Sequence, residues 1–297
     1  MDNDDALLKI FILVSDFVKD HKKKNPFSQN FSPNQNYFFD EEVITAYLFG
    51  LHRKLHNTKE IHFLITNYHL KDFPKIPEYE SFNYRLNKLS PLFHELSTLL
   101  MESSDKGTDL NQLVLVLDSM PIIISKKTKK KEKMFSNNFA NNGYCSSKKL
   151  YYYGVKLHAV LVAQCQTLAK PFFTKINKAS EHDLKVIKDH SNRFKNCTLV
   201  GDKAYISKDF GKKLNKESST LITPIKLSKN KKEYTEDEKV YNRLVSSRRQ
   251  CVEIFFSWIN QLTKIQNASK IRSSSGLIFF IYSRIAFALI HLNLRKI

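Results

Sequence analysis

Five consecutive apolar residues, Leu113 to Leu117 in the stretch "NQLVLVLDSMPI", constrain the second half of this chain more than any other feature. Neighbouring residues of a strand point to opposite faces, so an unbroken apolar run needs cover on both. A central strand with helices on each side of its sheet meets that need. The residues that follow keep to this plan. "YYYGVKLHAVLVAQ", "PFFTKINKA", "CTLVGDKAY" and "TLITPIK" read as four more strands. "SEHDLKVIKDHSNRF", "SKDFGKKLNK" and the long "EDEKVYNRLVSSRRQCVEIFFSWINQLTKIQ" read as helices between and after them. The order is three strands, then alternating helix and strand, closing on a helix. It predicts an α/β domain on a five-stranded sheet flanked by helices.

The first hundred residues have a different texture. Leu7 to Val18 carries apolar residues at helical spacing. "DEEVITAYLFGLHRKL" opens on acidic residues, as a helix N-terminus favours. "NTKEIHFLITNYHL" follows after a tight turn, with Thr58 placed to cap it. Two helices joined this way resemble a helix-turn-helix, a pattern that many helical hairpins share. The expected division is therefore a helical, DNA-binding N-terminal region over residues 1–105 and the α/β domain over 106–297. Near the end, Gly276 to Leu294 has the length of a membrane span but carries Arg284 at its middle. A central arginine is costly in lipid, so a buried helix is expected and no membrane contact.

Charge narrows the partners. Lys and Arg number 48 against 29 Asp and Glu, a net charge of +19. That excess goes beyond what solubility asks and points to a polyanion, nucleic acid before an anionic membrane. The cysteines, Cys145, Cys165, Cys197 and Cys251, form no C-x-x-C pair. Neither a zinc site nor a disulfide framework is expected, and a cytoplasmic location fits.

Three carboxylates hold special places in the element order. Asp118 ends the first strand, Asp202 ends the fourth, and Glu253 lies on the final helix. If the first and fourth strands are neighbours, both aspartates emerge at the carboxyl end of the sheet, where open α/β sheets place their sites. On the final helix Val252, Phe255, Phe256, Ile259 and Leu262 form an apolar stripe, while Arg249, Glu253, Ser257, Asn260 and Lys264 share a polar face. A few carboxylates suffice to hold two divalent metals, Mg²⁺ or Mn²⁺, and such a pair is suited to phosphodiester chemistry.

Other residues take supporting roles in this reading. Arg249 suits either a phosphate or a carboxylate. Lys148, Lys149, Lys156, His158 and Lys203 are candidate DNA contacts, and Ser119, His182 and Asp183 are auxiliary candidates. Ser180 to Asp183 reads first as a helix cap, with Ser180 at N-cap. The run "KKTKKKEK", Lys126 to Lys133, follows the first strand and is placed to guide a DNA strand.

Taken together, "LDSMP", "YYGVKLHA", "ASEHD", "GDKAY" and "RRQCVEIFFSWI", in that order, resemble the DDE transposases of bacterial insertion sequences, most of all the insertion-sequence family numbered 982. The resemblance spans most of the chain and also takes in "IPEYESFNYRL". It implies an RNase H-like catalytic core, with Asp118, Asp202 and Glu253 as the metal-binding catalytic triad. It also implies metal-dependent cleavage at the element's terminal inverted repeats. The freed 3′-hydroxyl then attacks target DNA, with at least a homodimer in the complex. The rival readings are a structure-selective nuclease such as a junction resolvase, and a catalytically silent DNA-binding remnant. Three positions depart from the resemblance: Ala204 stands where related transposases usually have glycine, and Ser246 and Asn260 stand where some relatives carry a tyrosine and a lysine. An alanine forced into positive φ would be strained.

Overall fold

The computed structural model describes residues 3–25, 38–104, 113–126, 139–146, 148–164, 167–227, 231 and 233–294. They fall into two compact units. One takes Met1–Leu100, Gln261–Ile265 and Ile271–Ile297; the other takes Met101–Asn260 and Gln266–Lys270.

The first unit is helical. It holds α1 (Asn3–Lys24), α2 (Asp40–His52), α3 (Thr58–Tyr68), α4 (Tyr79–Lys88), most of α5 (Ser90–Ser104) and the C-terminal helix α9 (Ser274–Leu294). The cap of α3 is Asn57 rather than Thr58: its side chain accepts the Lys59 N–H at 3.1 Å. The Asn side chain, one residue earlier and one bond longer, reaches the unsatisfied first-turn donor. Sequence placed α9 with the α/β domain, but it belongs to the helical unit, where it packs on α2 and α4. Arg284, 1% exposed, explains how so apolar a helix is held. Its guanidinium donates to the carbonyl of Thr263 at 3.0 Å, the hydroxyl of Tyr47 at 2.9 Å and the carbonyl of His56 at 2.9 Å. It also lies 3.6 Å from the Phe280 ring centroid. Neutral acceptors and an aromatic face thus satisfy a buried charge that, among the described residues, forms no ion pair with a carboxylate.

The second unit is α/β. Its elements are β1 (Leu113–Ser125), β2 (Asn141–Cys145), β3 (Leu150–Val162), β4 (Lys170–Lys178), α6 (Asp183–Asp189), β5 (Cys197–Val200), α7 (Lys208–Asn215), β6 (Thr220–Ile222) and α8 (Glu236–Thr263) as far as Asn260. The strands form one mixed sheet in the order β2-β3-β1-β5-β6, with β4 also paired to β3. β3 runs antiparallel to β1, β2 and β4, whereas β5 and β6 run parallel to β1. Leu113, Leu115 and Leu117 alternate onto one face with Val160 and Val162, and Ile187 of α6 with Phe210 and Leu214 of α7 covers them. The apolar run is therefore a central strand, as its pattern requires.

Three details differ from the sequence reading. β1 does not end at Asp118. Its parallel pairing with β5 stops at Val116↔Val200, but its antiparallel pairing with β3 continues to Ser125↔Tyr153. β2 is a sixth strand, a short polar ladder that no apolar alternation announces. The helix expected from Ser180 begins at Asp183. Ser180 instead exchanges two hydrogen bonds with the Asn141 side chain, at 2.6 and 3.0 Å, which ties β2 to the segment before α6. The lysine run beyond Lys126 lies outside the described residues.

Candidate active site

The site is a gap in one edge of β1. Along that edge β5 pairs only as far as Val116. Further on, the segment after α8 takes over: the Ile123 N–H donates to Gln266 O at 2.8 Å, and the Ala268 N–H donates to Ile123 O at 2.9 Å. Between the two pairings lie Asp118 to Pro121, and they line a cleft of about 490 Å³. Asp118 comes two residues after Val116, and Asp202 two residues after its register partner Val200. Parallel strands in register carry equal offsets to neighbouring positions, so both aspartates reach the same cleft.

α8 supplies the third carboxylate. Val252, Phe255, Phe256 and Ile259 are buried, while Glu253 is exposed on the polar face and lines the cleft with Asp118 and Asp202. One turn earlier, Arg249 Nη2 lies 3.3 Å from Asp118 Oδ2. At the other end of α8, Asn260 Oδ1 accepts the Gln266 N–H at 3.1 Å. Asn260 thus holds the turn that closes the gap, a structural task for the residue that stands where some relatives carry a lysine.

Burial pushes the Asp118 carboxyl up to about 6. The Ser119 N–H, donating at 2.8 Å, and the Arg249 charge oppose that rise, while Asp202 and Asp183 add to it. Asp202 is held differently: its Oδ1 accepts the Ala204 N–H at 2.8 Å and caps a short 3₁₀ turn, Lys203–Tyr205. Ala204 is not among the residues with positive φ, so alanine carries no backbone strain there.

The remaining candidates divide. Ser119, Asp183, Lys148 and Lys156 line the same cleft. Lys156 Nζ is 2.9 Å from Asp183 Oδ1, and Lys148 Nζ donates to Gln266 Oε1 at 2.6 Å. Lys149 is exposed in the turn between β2 and β3, at a φ of 47°. His182 is exposed at the N-cap of α6, makes no side-chain cap bond and does not line the cleft. His158 cannot touch DNA, because it is fully buried. Its Nδ1 is 3.8 Å from Asp183, too far for a hydrogen bond, and among the described residues neither ring nitrogen has a hydrogen-bond partner. Burial holds the ring neutral, with its pKa lowered to about 4.

A second cleft, about 830 Å³, shares Asp202 and Arg249 with the first. Lys203, Tyr234, Lys239, Arg243 and Ser246 line it. Lys203 was a candidate from sequence; Lys239 and Arg243 were not. The signal available for those two was their place on α8, about four and three turns before Glu253.

The chemistry of Asp118, Asp202 and Glu253 suits a hard divalent cation, and a cation would relieve the cost of partly burying Asp118. Among the described residues no three such donors are already grouped as a preformed metal shell. Arg249 supplies the positive charge beside Asp118.

No curated protein matches the chain. Among solved structures, the Drosophila P element transposase strand transfer complex aligns over 95% of this chain and 86% of that one, at 12% identity and a TM-score of 0.28, too loose an overlay to carry an argument. The family profile described as "Transposase DDE domain" matches residues 109–274, a span that contains all three carboxylates and stops where α9 begins. With that profile matched over more than half of its residues, the chain belongs to the DDE transposase family.

Proposed function

We propose that this chain is an insertion-sequence transposase of bacterial type that cleaves the ends of its element and joins the freed 3′-hydroxyl to target DNA. The observation that carries this reading is the meeting of Asp118, Asp202 and Glu253 in one cleft of the DDE domain. The strand order β4-β3-β1-β5-β6, with β3 alone antiparallel to β1, supports an RNase H-like core.

Members of this family use divalent metals, and here Asp118, Asp202 and Glu253 would hold them, as Mg²⁺ or Mn²⁺. Bound ions of that kind activate an attacking oxygen and offset charge on the phosphate. The chain's own residues do the rest. Asp118 must be ionised to serve, and Arg249 favours that form. Lys148 and Lys156 bring positive charge to the cleft wall, and Lys203, Lys239 and Arg243 extend it into the second cleft. That path accepts a phosphate backbone on both sides of the carboxylates. In the helical unit α3 offers exposed Lys59, Phe63, Asn67 and Tyr68, and we assign it to duplex DNA. Joining two element ends calls for at least two copies.

The test is a strand-transfer assay with Mg²⁺ or Mn²⁺ on duplexes bearing the element's own ends, read from the inverted repeats that flank the gene. Asp118→Asn, Asp202→Asn and Glu253→Gln should each reduce cleavage and joining to background while leaving the folded protein able to bind the ends. Wild-type activity in any one variant removes that residue from the triad. Cutting of branched DNA regardless of end sequence would point to a junction resolvase instead.

A further inference from the structure

Beside the carboxylate cleft, β2 and β3 present two tyrosine rings to solvent. Tyr144 and Tyr151 are direct register partners, with ring centroids 4.7 Å apart and planes tilted by 46°. They remain 48% and 65% exposed, whereas the next two residues of β3, Tyr152 and Tyr153, are buried. Tyr144 is also part of the cleft wall that holds Asp118, Asp202 and Glu253. Alternation along β3 puts Tyr151 on the same sheet face as Ala159, the register partner of Asp118. The aromatic surface and the central carboxylate therefore share one face. Around it the charge is positive, with Lys148 at the cleft wall and Lys149 in the adjoining turn.

Exposed rings beside cations match one partner chemistry well. A nucleobase has a flat π-face that stacks on an aromatic side chain, and its backbone phosphate seeks the lysine. A duplex hides those faces inside its own stack, so the partner is a base without a pairing mate. Cutting leaves a strand end, and an end base leaves its stack more readily than one inside a duplex, which supplies such a base. We propose that the Tyr144–Tyr151 pair is a stacking platform for an unpaired base of the DNA strand whose phosphate lies at Asp118, Asp202 and Glu253. This rests on the reading of the cleft as a DNA-cutting site.

The experiment compares two single-stranded probes of equal phosphate count, an oligothymidylate of about 12 nucleotides and an all-abasic strand of the same length. The full chain is titrated with each by fluorescence anisotropy, without divalent metal and at one salt concentration. Phosphate attraction is common to both probes, so their affinity ratio isolates the bases. Wild type should favour the base-bearing strand by about 5-fold or more. Tyr144→Ala and Tyr151→Ala should bring the ratio towards one, and Tyr144→Phe should keep it. Tyr144→Leu keeps apolar bulk on the hairpin and should also lose the preference, which separates stacking from a fold defect. A wild-type ratio near one, or a preference that survives in the alanine and leucine variants, overturns the platform alone. If wild type binds neither strand nor duplex ends, the DNA-cutting reading falls with it.

Discussion

A carboxylate drawn partly out of water is costly unless something nearby answers its charge. Asp118 accepts one backbone N–H and faces one guanidinium, yet burial still leaves its carboxyl near 6. His158 has the opposite problem. Asp183 lies 3.8 Å away and would favour the charged ring, but desolvation dominates and lowers its pKa from 6.5 to about 4. A histidine whose folded pKa is depressed binds its proton more readily in the unfolded chain. Its contribution to stability is therefore fully present above pH 6.5 and is lost as pH falls towards 4. The drop amounts to about 3 kcal/mol at most. Urea unfolding of the wild type should show a midpoint falling between pH 7 and pH 4.5. In His158→Gln that part of the slope should be absent, and an unchanged slope would mean that His158 is protonated in the fold.

At the scale of elements, β1 is the spine of the site, because β3 holds one edge throughout while the other edge opens at Asp118. Gly154 is what allows the far end of that pairing. A Cβ there would collide with the carbonyl oxygen of Ile122, next to the irregularity between Ile123 and Ser125. Gly154→Ala should destabilise the α/β unit by at least about 2 kcal/mol, as overpacking against rigid backbone does. Thermal unfolding measures it, and a variant as stable as wild type would show that β1 and β3 can separate there freely. How far these elements were legible in the sequence follows from what forms them. The apolar run announced a central strand, but that β1 and β5 are neighbours stood only as a condition, and their parallel register comes from the structure. β2 was illegible because "NNGYC" is stabilised by its partner strand and by Asn141 rather than by apolar alternation. The extension of β1 past Asp118 was hidden for a related reason, since only β3 and Gln266 to Ala268 reveal that the strand continues. α9 was placed with the wrong unit because an apolar helix does not state which neighbours will cover it.

For the molecule as a whole the question is whether its +19 charge acts as a diffuse field or along a track. A diffuse field would attract DNA wherever lysines lie. A track concentrates the contacts where cations line a groove, and Lys203, Lys239, Arg243 and Arg249 line the cleft that shares Asp202 with the carboxylate site. Counterion release separates the two cases. Each phosphate neutralised adds about 0.9 to the slope of log affinity against log salt on duplex DNA. Lys203→Gln and Arg243→Gln should each lower that slope by about 0.9, by the same relation. Lys212→Gln removes an exposed lysine of α7 that lines neither cleft, and should leave the slope unchanged. Binding of element-end duplex measured between 50 and 200 mM salt, the range over which such slopes are steep, gives all three numbers. Equal losses from all three variants would mean that the charge works as a field and that the second cleft is not the path of the DNA. A loss confined to Lys203 and Arg243 would place the phosphates along α8, leading towards the gap in β1 where Asp118, Asp202 and Glu253 meet.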